Sequence, residues 1–207
     1  MATFTRIPTD TFKKLQMNAG ILCSEFTPAD GTVEETALLG ATSGGIAFST
    51  APEFTDFGED IDNCPKNTME LKRLDSMEVT MSGSFVTVDT KNARLLAGMA
   101  DIDGSNATKI VPRRDIDIDT DFTDIWFVGD YSDVNTGDTA GFLAIHLMNA
   151  LSTGGFSMQT SDKGKGVFEF SFTGHFSMAA QDKVPYEIYV KAGTAAEAAL
   201  SDVTYGE

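Results

Sequence analysis

Alternation of apolar and polar residues is the dominant pattern of this chain, and it predicts strands. From Ser76 to Val88 the sequence reads SMEVTMSGSFVTV. Met77, Val79, Met81 and Phe85 fall on one side of a period-two repeat, and Glu78, Thr80, Ser82 and Ser84 on the other. That is a long strand with one buried face. The pattern returns at Gly166–Met178, GVFEFSFTGHFSM. There Phe168, Phe170, Phe172, Phe176 and Met178 share one face, while Glu169, Ser171, Thr173, His175 and Ser177 share the other. Strands of about 13 residues are roughly twice the usual length and belong to extended sheets or barrels.

Shorter strands are predicted at Ile21–Phe26, Gly45–Phe57, Lys109–Val111, Asp124–Tyr131, Gly141–Asn149 and Tyr186–Val190. Pro52 marks the second of these as an edge strand or a bulge. Asp124–Tyr131 is apolar at its centre on both faces, with Ile125, Trp126, Phe127 and Val128 in a row, which predicts cover on both sides. Only Thr90–Ala100 reads clearly as helix. Its Leu95, Leu96, Met99 and Ala100 form a stripe at helical spacing, Asp89 or Thr90 suits the N-cap, and Gly98 weakens the end. A shorter helical turn fits Thr11–Asn18.

Three segments resist assignment to the core: a long loop at Gly58–Leu74, an acidic Ala/Thr-rich insertion at Thr27–Leu39, and a small-residue tail at Ala192–Glu207. Loops longer than about 12–15 residues are usually functional or disordered. The organisation expected is a single β-rich domain over residues 1–191, with an N-terminal arm and the long loop at about 58–74, followed by a C-terminal arm or tail over 192–207.

Composition agrees and narrows the chemistry. A chain of 207 residues, 42% hydrophobic, has the material for one domain with a real core. Its 19 glycines and 15 phenylalanines suit a β-rich fold with tight turns. Asp and Glu total 31 against 15 Lys and Arg, a net charge of -16. Such a chain does not attract nucleic acid or anionic lipid, both of which are held by Lys and Arg. No stretch approaches the roughly 18 apolar residues of a membrane helix, and the N-terminus shows no secretory pattern. The expectation is a soluble protein made in a cytoplasm, with no membrane partner.

Candidate chemistry is sparse. Cys23 and Cys64 form neither a C-x-x-C nor a zinc pattern and read as two reduced thiols. His146 and His175 lie on different strands, with no serine or cysteine motif near either, and read as ordinary strand histidines. There is no G-x-S-x-G, P-loop or H-E-x-x-H. Asp162–Gly166, DKGKG, is the nearest approach to a phosphate cradle and reads better as a turn feeding the Phe-rich strand. The prediction is a non-enzyme with no catalytic residue, cofactor or metal site.

The acidic run Asp115–Asp124, DIDIDTDFTD, tests as a calcium loop and fails. Its sixth position is Thr120 rather than Gly, and its twelfth is Trp126 rather than Glu. Asp101–Asn106, DIDGSN, lacks the distant carboxylate. The run is expected to be a strand or turn with an acidic solvent face, Ile116, Ile118 and Phe122 packing inward. It could equally be a surface built to repel phosphate.

Four stretches carry a resemblance: TSGGIAFSTAPEFTDFGEDIDNCPKN at 42–67, ELKRLDSMEVTMSGSF at 70–85, DFTDIWFVGDYSD at 121–133, and HLMNALSTGGFSMQTSDKGKGVFEFSFTGHFS at 146–177. In these the chain resembles the major tail proteins, or tail-tube proteins, of bacteriophages with long non-contractile tails. The resemblance runs from about residue 20 to residue 191 and says least about Thr27–Leu39 and the tail.

The resemblance implies a β-sandwich or barrel-like body with one flanking helix and extended loops and arms. It implies homo-hexameric rings that stack into a tube, contacts with other tail proteins, and double-stranded DNA passing through the lumen at ejection without tight binding. The location implied is the virion tail, assembled in the host cytoplasm. On this view Glu78, Thr80, Ser82, Ser84, Glu169, Ser171 and Thr173 line the lumen. Glu59, Asp60 and Asp62 in the first half of the long loop, and Lys66, Lys72 and Arg73 in the second, serve ring stacking. The rival implications are a tube protein of a contractile or type VI secretion-like system, or a monomeric β-sandwich that binds carbohydrate.

Overall fold

A computed structural model describes residue 4 and residues 7–133 and 140–193. The chain is mainly β, with one α-helix. Its strands are β1 (Ile21–Cys23), β2 (Leu38–Gly40), β3 (Thr42–Asp56), β4 (Lys72–Phe85), β5 (Ala100–Asp103), β6 (Asn106–Pro112), β7 (Thr123–Asp130), β8 (Phe142–Ser152), β9 (Ser157–Gln159), β10 (Val167–Gly174) and β11 (Tyr186–Lys191), and the helix α1 spans Thr90–Ala97. The expected C-terminal arm lies outside the described residues beyond residue 193.

All pairings are antiparallel. The main sheet runs β2-β1-β7-β8-β10-β4-β3, with β11 on β8 and β9 on β10; β5 and β6 form a separate hairpin. Strand β8 changes partner along its length. Phe142 to Leu147 pair with β11, and Ala150 to Ser152 pair with β10. One strand therefore belongs to both halves of the sheet, giving a sandwich-like arrangement. Between the halves lie Leu22, Val79, Met81, Phe85, Ile125, Leu147, Phe170 and Phe172, joined by Leu96 from α1. The period-two apolar positions of β4 and β10 are thus the core, as the alternation predicts. Burying such side chains contributes about 1.5–3 kcal/mol apiece.

Local signals start α1 at Thr90 as expected, but the helix ends at Ala97 rather than Ala100, which opens β5. The Asp89 side chain accepts a hydrogen bond from the Asn92 backbone at 2.7 Å, and Gly98 ends the helix at φ 72°. Pro52 sits on β3, an edge strand of the sheet. The segment Thr11–Lys14 is a single 3-10 turn.

Three expectations need correction. The Phe-rich strand stops at Gly174, four residues short. A Cβ at Gly174 would stand 2.7 Å from Leu147 Cδ1 and 3.1 Å from the Pro185 carbonyl, so a larger residue there requires Leu147 to shift. Beyond it Asn149 Nδ2 donates to the His175 carbonyl at 3.0 Å, and the His175 ring meets the Asn149 carbonyl at 3.1 Å. These side-chain bonds turn the chain away, leaving Phe176 and Met178 45% and 85% exposed instead of buried.

The second correction concerns Thr27–Leu39, which is no protruding insertion. Phe26, Val33 and Ala37 pack with Cys23, Trp126, Phe142 and Ala144 in a second core on the other face of β7 and β8. This is the cover that the doubly apolar β7 requires. Leu38 and Leu39 enter β2.

Third, the acidic run keeps its expected solvent face at Asp115, Asp117 and Asp119, with Phe122 half-buried, but three of its side chains depart. Ile116 and Ile118 are exposed, whereas the Asp121 side chain is fully buried between Arg94 and Arg113. The segment is a turn rather than a strand, so alternation there carries no facial meaning.

Candidate functional site

The seven polar residues picked out on β4 and β10 form one continuous surface. Ser84 lies opposite Glu169, Ser82 opposite Ser171, and Thr80 opposite Thr173. On its other side β4 meets β3, placing Ala47 beside Ser82, Ser49 beside Thr80, Ala51 beside Glu78 and Glu53 beside Ser76. Hydroxyls link the strands: Ser49 and Thr80 are 3.3 Å apart, Thr153 and Thr173 are 2.8 Å apart, and Ser76 donates to Glu53 at 2.8 Å. None of these positions is Lys or Arg. The opposite face of the same strands is the buried core, which holds the surface in place.

Ser49, Glu53 and Thr153 belong to this surface and escape a reading of the sequence. Ser49 and Glu53 lie in the unbroken register between Ile46 and Glu53, but beyond Phe48 the opposite positions are Thr50 and Pro52, so no apolar alternation marks their face. Thr153 follows β8 and is brought over by its bond to the Ser171 carbonyl at 3.3 Å. β3 has no partner on its far side within the described chain, so the surface ends in an open strand edge.

The long loop is the tip of the β3–β4 hairpin and is shorter than expected. Lys72 and Arg73 are strand residues paired with Asp56 and Thr55, whereas Glu59, Asp60, Asp62 and Lys66 lie in the connection, all exposed. Lys72 Nζ lies 5.3 Å from the centre of the Phe54 ring, and Arg73 donates to the Glu70 carbonyl at 3.0 Å. Backbone amides of Gly58 and Asn67 donate to Asp56 at 2.9 Å each, holding its carboxyl below the ordinary range. No ion pair joins the acidic and basic members of the loop among the described residues. The distal hairpin also exposes Phe54, Phe57, Ile61, Met69 and Leu74.

At the end of β10, the acidic loop and the turn at 175–179 enclose a cleft of about 510 Å³ lined by Ile118, Phe122, His175, Phe176 and Met178. The Asp117 carboxyl on that loop is held low, foremost by the Asp119 amide at 3.1 Å.

The histidines are held structurally. His146 stacks on Trp126, centroids 3.9 Å apart and planes 6° from parallel, with Nε2 3.0 Å from Asp124 and Nδ1 3.8 Å from Glu187. Glu187 also accepts from Tyr189 and pairs with Lys183 at 3.0 Å, so its carboxyl is held low. Trp126 is 8% exposed and offers no platform for a sugar. Among the described residues no three His, Cys, Asp or Glu side chains gather as a metal ion would require. No helix there is long and apolar enough to cross a membrane. Cys23 and Cys64 are free thiols.

No protein-family model matches the chain, and no curated protein is significantly similar to it. Two solved structures are similar in outline. The tail of an empty gene transfer agent particle, refined with C6 symmetry, is 10% identical, with a TM-score of 0.40 over 84% of this chain and 96% of that one. The virion of a native gene transfer agent particle gives 9% identity and a TM-score of 0.40 over the same shares. At that distance the likeness carries none of the argument that follows.

Proposed function

We propose that the chain is a structural subunit of a phage-type tail tube, forming hexameric rings that stack around a channel for double-stranded DNA. The observation that carries this is the hydroxyl and carboxylate surface on β4 from Ser76 to Ser84 and on the β3 and β10 residues paired with it, a stretch without Lys or Arg that ends in an open strand edge. The sequence resemblance supplies the six-fold ring.

The geometry is compatible with a closed barrel. β3, β4 and β10 supply three strand positions, and a fourth is filled by β9 at one end of β10 and by the end of β8 at the other. Four strands from each of six subunits, about 4.8 Å apart, give a circumference of roughly 115 Å before tilt. The diameter, roughly 37 Å and larger with tilt, admits a duplex. Closing the ring pairs the β3 edge, which removes the hazard of a long exposed strand.

On this reading Glu78, Thr80, Ser82, Ser84, Glu169, Ser171 and Thr173 face the lumen. Each Lys or Arg contact would exchange counterions for phosphate and hold the DNA. A wall of hydroxyls and carboxylates keeps the polymer centred and moving. The chain then needs no catalytic group, metal or cofactor, and its other partners are tail proteins.

Negative-stain electron microscopy of the purified protein over a range of concentrations tests this. Hollow six-fold rings or tubes are the expected result. A uniform monomer at high concentration would overturn it.

A further inference from the structure

Two features of the chain have no role in the lumen: the acidic, apolar cleft after β10 and the basic turn before it. They lie at opposite ends of one strand. β10 runs from Val167 to Gly174, which sets them apart by about 23 Å of strand plus the turns themselves.

The cleft end is apolar and negative. Ile118 is 78% and Met178 85% exposed, with Phe176 beside them, and Asp115, Asp117 and Asp119 stand exposed on the same loop. Arg94 and Arg113, the nearest guanidiniums, are committed to Asp121. Arg114 is exposed beside Asp115 and leaves the loop negative.

The other end is apolar and positive. Phe156 and Met158 are exposed at β9, and the turn that follows presents Lys163 and Lys165 against a single Asp162. Neither lysine has an ion partner among the described residues. In a chain of net charge -16, a local excess of positive charge beside exposed apolar side chains is rare. Two other exposed apolar segments match the cleft less well. The β3–β4 tip carries Glu59, Asp60, Asp62 and Glu70 against Lys66, and the Thr11–Lys14 turn has Lys14 already paired with Asp10 at 2.5 Å.

We propose that the β9–β10 turn of one copy, with Lys163, Lys165 and Met158, seats on the Ile118–Phe176–Met178 cleft of a second copy and its rim of Asp115, Asp117 and Asp119. The two surfaces are different patches at opposite ends of β10, so the contact is head to tail, a geometry that either closes a ring or propagates, and in the tube reading the ring is already closed through the β3 edge. It therefore joins rings along the tube axis. This rests on the tube reading and adds to it the contact that makes rings stack.

Charge reversal tests it. The Lys163→Glu/Lys165→Glu variant is expected to form rings while mean tube length falls by about tenfold, because like charges now face across the contact. Mixing it with an Asp115→Lys/Asp119→Lys variant is expected to restore tubes, with circular dichroism confirming that each folds. Met178→Asp, at a side chain the fold does not bury, is expected to block stacking without lowering the melting temperature. Wild-type tube lengths from the lysine variant would overturn the inference and leave the tube reading standing. Loss of tubes without rescue by mixing would overturn the self-pairing and leave the cleft to a different protein. A wild-type chain that assembles into nothing would overturn the tube reading and this contact with it.

Discussion

Asp121 is held by Arg113 at 2.5 Å, deep enough that its carboxylate has no exposure to solvent. Arg94 approaches the same oxygen at 3.5 Å, and the Asp117 amide donates to the other at 2.9 Å. The acidic run thus contains one residue that fixes it to α1 and to the end of β6. Removing one partner from a buried charge cluster is strongly destabilising, since the remaining charges lose their compensation. Asp121→Ala is expected to lower stability by about 3 kcal/mol. Urea unfolding should show a lower midpoint with an unchanged slope. Asp119→Ala, on the exposed side of the loop, should leave the midpoint alone.

The two thiols should separate by reactivity. Burial pushes the Cys23 thiol up to about 11, and it packs in the second core, whereas Cys64 sits half-buried near the tip of the β3–β4 hairpin. Thiolate, not thiol, is the nucleophile. At mildly alkaline pH a thiol reagent should modify Cys64 alone in the native protein and both residues after unfolding. Labelling of Cys23 at a rate matching Cys64 would contradict the packing.

Acid should loosen the hairpin tip before it unfolds the body. The Asp56 carboxyl accepts from Gly58 and Asn67 and lies below its ordinary value of 3.8 in the folded chain. Its contribution is therefore fully present above the unfolded value and lost as pH falls through the lowered one. Hydrogen-exchange protection of the Gly58 and Asn67 amides should drop as the pH falls below the ordinary carboxyl value of 3.8. Asp56→Asn, which cannot titrate, should show a flat profile over the same interval.

On the proposed tube reading, lumen charge is separable from assembly. Glu78→Lys and Glu169→Lys each place a cation on the polar surface without touching the core side of β4 or β10. Rings and tubes are expected to form as before, while DNA ejection slows and becomes salt-dependent, because each lysine adds a phosphate contact. Ejection kinetics identical to wild type at low salt would remove both residues from the channel wall.

The readable parts of the fold are those where one local rule governs. β4, β7, β8 and α1 appear close to where alternation, helical spacing and the Asp89 cap put them, since each buries apolar residues its own sequence defines. The short strands β2 and β5 do not show, because three or four residues cannot establish a period. The polar surface is half legible. Its β4 and β10 members follow from parity, whereas in β3 the apolar alternation stops at Phe48 and leaves Ser49 and Glu53 unmarked.

Sequence by itself determined that this is a mainly β protein, strongly acidic, with two apolar-faced strands whose other faces carry hydroxyls and carboxylates. Those are properties of single strands, and composition and period suffice for them. Only the tertiary structure decided that Phe26, Val33 and Ala37 fold back over Trp126, that Gly174 ends the Phe-rich strand, and that Asp121 turns inward while Ile118 and Met178 turn out. Each of these depends on a partner far along the chain: a side chain to cover, a methyl to avoid, or two guanidiniums to meet. Local period cannot encode such a partner, because burial is a property of what arrives from elsewhere.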